Sequence, residues 1–145
     1  MKEKILETLV NMGFKLEEVG DLGYSFKYEG AKFLYTTDTD ENFLSISIPG
    51  FYDYEKEKMA EFYCLSEKIN STLKYIKTYN LADSLWLVYE RELIGDEDLE
   101  EVILHMILHL TKGLEFARDT IEEIESLSDD SLDDGDAKRK KDSDE

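Results

Sequence analysis

The spacing of apolar residues switches repeatedly between helical and strand periods along the chain. Ile5, Leu6, Leu9, Val10 and Met12 recur at helical spacing and Gly13 ends the run, which predicts a short amphipathic helix with a glycine stop. Period two follows. Tyr24, Phe26 and Tyr28 alternate with Ser25 and Lys27, Glu29-Gly30 supplies a turn, and Phe33 and Tyr35 alternate again. After the polar run Asp38-Thr-Asp-Glu-Asn42, Leu44, Ile46 and Ile48 alternate with Ser45 and Ser47. These segments predict three short strands in a meander with one buried face. Pro49-Gly50 predicts the end of the third strand.

Met59, Phe62, Ser66, Ile69 and Leu73 then fall three and four apart, the stripe of a second helix. Around Tyr75 the period returns to two, with Tyr75, Lys77 and Tyr79 on one side and Ile76 and Thr78 on the other. Ala82-Asp-Ser84 reads as a turn, and residues 85–93 are rich in strand formers, so the second helix feeds a hairpin. Trp86 is expected in the core because its neighbours alternate. Gly95-Asp96 opens a last helix, where Asp98 and Glu101 have capping-box spacing, and the helix is expected to run to about Ile124. The fold class is therefore α+β with five strands, in the order α-β-β-β-α-β-β-α.

Composition separates a body from a tail. Residues 125–145 are low-complexity and charged, and such a segment buries too little apolar surface to offset its ordering entropy, so a disordered charged tail is expected after a domain at 1–124. From Ser126 the tail holds eight acids and four bases, and its net −4 out of the chain's −18 leaves −14 on the body. A field of that sign repels phosphate, which argues against nucleic acid and anionic membranes as partners and favours basic segments of other proteins or cations. The one cysteine, Cys64, allows no internal disulfide, and the N-terminal segment has no long apolar run, so a cytoplasmic, soluble protein is expected.

Both histidines, His105 and His109, lie on the last helix four residues apart. At about 100° per residue, Leu99, Ile103, Met106, Leu110, Leu114, Ala117, Ile121 and Ile124 form the core stripe, and Glu101, His105 and His109 form a second line. A metal could touch both rings with Glu101 as third ligand, but Met106 stands where a zincin has its glutamate base. The expectation is no metal and no cofactor, with the imidazoles bordering the core. Leu104 and Leu108 lie roughly opposite the core stripe, with Phe116 to one side. A helix on one sheet has no use for two leucines on its far face, so these three are the candidate contact residues of a homodimer; cover by the first helix is the alternative.

Other candidates are weaker. Asp38-Thr-Asp40-Glu-Asn42 begins like a calcium loop, but Phe43 replaces the required glycine and Pro49 the bidentate glutamate. Phe51, Tyr52 and Tyr54 cluster after the proline, as partner-binding aromatics or as rings tucked under the following helix. Cys64 adjoins the second helix's apolar stripe with no histidine beside it, which reads as a small hydrophobe. No phosphate loop, nucleophile elbow or CxxC occurs, so no enzymatic chemistry is indicated.

Phe26-Lys-Tyr-Glu-Gly30, Phe43-Leu-Ser-Ile-Ser-Ile-Pro-Gly-Phe51, Lys68-Ile-Asn70, Lys77-Thr-Tyr79 and Trp86-Leu-Val-Tyr-Glu90, in that order, resemble the YbjN family, which is similar in fold to the type III secretion chaperones. The resemblance spans residues 1–124. It implies a single antiparallel sheet with helices packed on it and a tendency to dimerise. The secretion chaperones are acidic dimers that hold unfolded stretches of client, although the tail here is unlike theirs. Asn70 matches a recurrent asparagine of the family, which implies a role at the helix-to-hairpin junction. The expected function is a non-enzymatic, chaperone- or adaptor-like binding module acting as a homodimer; the alternative is a metal-dependent or acid–base enzyme using His105, His109 and Glu101.

Overall fold

A computed structural model describes residues 1–37 and 42–142, with side chains to residue 127. The elements are α1 (Lys2–Asn11), β1 (Glu17–Val19), β2 (Gly23–Tyr28), β3 (Ala31–Thr36), β4 (Phe43–Asp53), α2 (Met59–Thr72), β5 (Ile76–Leu81), β6 (Ser84–Glu92) and α3 (Leu99–Asp142). The strands form one fully antiparallel sheet in the order β1-β2-β3-β4-β6-β5. The sheet thus has six strands where five were expected. The extra one, β1, is three residues long and begins with two glutamates, too short and too charged for alternation to reveal it. The backbone of α3 also stays helical beyond Ile124, as far as Asp142. The Asp38–Asn42 turn and its calcium-loop resemblance fall mainly on residues 38–41, outside the described residues.

Register shows what the sheet's two faces carry. Tyr35, Ile46, Tyr89 and Ile76 stand opposite one another across four strands and face the helices. They join Phe26, Phe33, Leu44, Ile48, Leu85 and Leu87 in the core, closed by Ile5 and Leu9 of α1, Phe62, Leu65 and Ile69 of α2, and Ile103, Met106, Ile107, Leu110 and Ala117 of α3. The other face has the cross-strand row Glu17, Ser25, Leu34, Ser47, Val88 and Lys77, and among the described residues the buried helix side chains all join the first face. Trp86, opposite Tyr79, belongs to this second face and is half-buried there, not in the core. Both faces of β6 are apolar, so alternation alone could not say which side Trp86 takes.

Pro49-Gly50 does not end β4. The strand continues to Asp53 through a register shift between Ile48 and Tyr52, and Gly50 takes φ +56 there. A Cβ on Gly50 would be strained by the left-handed backbone and would sit 3.3 Å from the Ser84 hydroxyl oxygen, which would have to give by a few tenths of an ångström, so the bulge favours glycine. On α2 the buried stripe is Phe62, Leu65 and Ile69; Met59 is half exposed, and Cys64 is exposed instead of buried. Asn70 takes the junction role its resemblance implied. Its amide oxygen accepts from the Thr78 N–H at 2.8 Å and its amide nitrogen donates to the Thr78 hydroxyl at 3.0 Å, clipping α2 to β5.

Two hairpins close on two-residue turns whose central residues both have positive φ: Glu29 and Gly30 (48° and 80°), then Ala82 and Asp83 (52° and 58°). Such turns match the right-handed strand twist but favour Asn-Gly, and a Cβ-bearing alanine is strained in that backbone. Ala82→Asn with Asp83→Gly is expected to stabilise the fold by about 1 kcal/mol in urea unfolding. The accepted Tyr54 N–H bond to the Asp83 carbonyl is a backbone contact and survives the change. Asn70→Ala is expected to cost about 1 kcal/mol, measured the same way, because both its bonds to Thr78 are lost at a partly solvated site.

Candidate functional site

The N-terminal half of α3 is positioned by two carboxylates. Asp98 caps the helix, its Oδ1 accepting from the N–H groups of Glu100 and Glu101 at 3.1 and 3.3 Å. Glu97 organises the preceding loop: one oxygen accepts from Gly95 N–H at 2.9 Å, the other from Ile94 N–H at 2.7 Å and from the Arg91 guanidinium at 3.2 Å. The Ile94 bond is the largest cause holding the Glu97 carboxyl below its usual range; burial opposes it, and the Gly95 bond and Arg91 add smaller effects in the same direction as Ile94. With its start fixed in this way, α3 lays Ile103, Met106 and Leu110 on the sheet, each fully buried.

The opposite side of α3 is the candidate contact surface. Leu104 and Leu108 are 43% and 40% exposed. Helix α1 lies against α3 yet leaves both leucines open, so the first helix is not their cover. Phe116 differs from them: it is half-buried and packs on the core.

Beside the leucines the two imidazoles meet two phenol rings, a constellation that the sequence reading missed. His105 and His109 have ring centroids 4.0 Å apart. Tyr75 stacks parallel on Tyr89 at 5.4 Å and meets both histidines edge-on at 5.3 and 5.1 Å. Alternation put Tyr75 on the side of Lys77 and Tyr79; its φ of +69° turns it back over the helix-facing side instead. A bulky aromatic residue in that conformation is uncommon, and Tyr75 is also 62% exposed. The available signal was an aromatic residue at a helix-to-strand junction, which sequence period cannot orient.

Hydrogen bonds set the imidazole roles. The His105 carbonyl can only accept, so His109 Nδ1, 2.9 Å away, carries the proton. The Tyr89 hydroxyl lies 3.1 Å from His105 Nδ1. Among the described residues no group of three or more His, Cys, Asp or Glu side chains is arranged to hold a metal ion, so Glu101 does not complete a three-ligand set with the pair. Tyr52 and Tyr54 are half-buried around Phe62, at 6.3 and 5.2 Å between ring centroids, and Phe51 also packs on the core. No helix among the described residues is long and apolar enough to cross a membrane.

Burial first, then the neighbouring His109 and Arg91, lower the pKa of His105. The groups around it are Tyr75, Tyr89, His109 and Arg91, with Glu101 one turn earlier on the helix. A histidine whose folded pKa lies below its unfolded value binds its proton more readily when unfolded. Stability therefore falls as pH drops through about 6.5, and the loss is complete below the folded pKa. Wild type should lose urea-unfolding stability relative to His105→Gln between pH 7.5 and about pH 5; a stability difference independent of pH would contradict this account.

No family profile and no curated protein sequence matches the chain. Solved structures do. An uncharacterized protein from Methanothermobacter thermautotrophicus superposes with a TM-score of 0.61 at 10% identity, over 84% of this chain and 96% of that one. YbjN from E. coli, described as a candidate transcription regulator, superposes with a TM-score of 0.55 at 12% identity, over 87% of this chain and 92% of its own. At such identities the likeness is one of fold. The α+β architecture, with one antiparallel sheet backed by three helices, is a YbjN-like fold.

Proposed function

We propose that this protein is a non-enzymatic binding module, adaptor- or chaperone-like, that works as a homodimer joined through the solvent side of α3. The observation that carries this reading is the pair Leu104 and Leu108, stacked one turn apart and more than a third exposed on a helix whose other side is the core. An antiparallel two-fold contact crossing between them sets each leucine against its counterpart. It also sets exposed Glu101 at one end close to exposed Lys112 of the mate, so charge as well as apolar surface is self-complementary. Tyr75 and His109 widen the patch on one flank. The acidic body, −14 over residues 1–125, would then draw a basic or unfolded protein segment to the assembled dimer, while the residues after it act as a charged solubilising tail.

Sedimentation of wild type against Leu104→Glu/Leu108→Glu tests the dimer. The double variant is expected to weaken association at least about a hundredfold with its monomer fold intact, since both side chains are partly solvated already. Two acidic bodies also repel, and salt screens that repulsion over about 8 Å, so the wild-type dimer should tighten as ionic strength rises. Wild type and variant sedimenting as monomers of equal mass at all salt concentrations would remove the reading.

A further inference from the structure

The sheet has a second distinctive region, away from α3. Beyond the Glu17–Ser25 pair at the start of β1, no strand among the described residues lies beside the outer edge of β2 residues 26–28. The loop before β1 crosses there, and between them opens a cavity of 680 Å³ lined by Gly13, Phe14, Lys15, Glu17, Ser25, Phe26, Lys27 and Lys32. That volume is typical of sites for small molecules. Phe14 lies 4.8 Å from buried Phe26, ring to ring, and forms an apolar wall.

The charge in this cavity runs against the rest of the chain. The protein has 35 acids and 17 bases, yet three lysines and a single glutamate line the cavity. Lys27 and Lys32 are direct cross-strand partners in the β2–β3 register, so two ammonium-bearing side chains rise side by side from the same face. Like charges directly opposed across a sheet are destabilising, and an acid at either position would turn the repulsion into a pair. None of the three lysines has an ion pair or hydrogen bond among the described residues; the ion pairs there are Lys77–Glu90 and Arg91–Glu97. The remaining acids act on this spot through solvent, and salt screens them beyond about 8 Å.

We propose that this cavity binds a small organic dianion, a phosphate monoester or a dicarboxylate. Its charged group lies among Lys15, Lys27 and Lys32, and its apolar part rests on Phe14. The bound anion supplies the counter-charge that the Lys27–Lys32 pair lacks, and the Glu17 carboxylate excludes anions that cannot reach past it to the lysines. This site is independent of the α3 surface.

Amide chemical-shift titration with phenyl phosphate, phthalate and neutral benzyl alcohol tests it. Phenyl phosphate or phthalate is expected to move the Lys15, Ser25 and Lys27 amides saturably, and the tighter of the two identifies the head group; benzyl alcohol is expected to leave them in place. Lys32→Glu should weaken binding by at least about tenfold while raising the melting temperature by about 1–3 °C, because it converts a like-charge pair into an opposite-charge one. Lys27→Glu should do the same from the other strand. The proposal is overturned if neither anion moves these amides at concentrations up to about 10 mM, if benzyl alcohol moves them equally, or if both charge-reversal variants bind as wild type does.

Discussion

The contact on which the remaining structure depends is that of α3 with the central strands. Ile103, Met106 and Leu110 are fully buried, and so are Ile46 of β4 and Leu87 of β6. A Cβ at Gly113 would make ordinary van der Waals contact, 3.5–3.8 Å, with Leu73, Leu87 and Ile76, so the helix backbone lies close above β5 and β6. Burying such side chains contributes roughly 1.5–3 kcal/mol each, more than any surface hydrogen bond in the molecule. Once α3 is seated there, α1 and α2 have room only on either side of it, and both the chemistry near α3 and its exposure follow from that placement.

That same contact limits what α3 can do with its other residues. The sheet offers the helices one face, and a helix buries one stripe on it. Residues about 150° away from the stripe have no part in folding, and Leu104 and Leu108 occupy such positions. The imidazoles fall between the two zones, near enough to Tyr89 to be partly desolvated and far enough out to meet water. Burial first, and then His109 with its ring 4.0 Å away, disfavour a proton on His105, so the placement has an electrostatic signature as well as a steric one.

Helices, hairpins and caps were legible because their signals are local. The Glu29-Gly30 turn and the Asp98 cap each depend on residues a few positions apart, whereas the Asn70 junction was implied only by the family resemblance. Misreadings arose where the deciding partner is distant in sequence. β1 exists because β2 offers it an edge, and Trp86 faces away from the helices because Leu85 and Leu87 point towards them. Tyr75 leaves its expected side through one backbone angle, and β4 survives Pro49 by a bulge whose fit depends on Ser84. The exposure of Leu104 and Leu108 was readable from the helical wheel; the aromatic rings beside the histidines were not, since Tyr75 and Tyr89 come from two other elements.

The two outermost strands have a consequence for how the protein behaves when crowded. An antiparallel sheet that ends in a long, flat, apolar margin invites another sheet to continue it, and the end product is fibrous. Here one margin is the three-residue β1, which begins Glu17-Glu18, together with the short open edge of β2 at residues 26–28, while the other carries Lys77 and Asn80 on a strand fastened from behind by Asn70. Neither offers a ladder that a like-charged neighbour could extend cheaply. The strand margins are therefore poor templates for runaway polymerisation, and what apolar surface the sheet does expose is limited to single side chains at strand ends, Leu81 of β5 and Phe43 of β4.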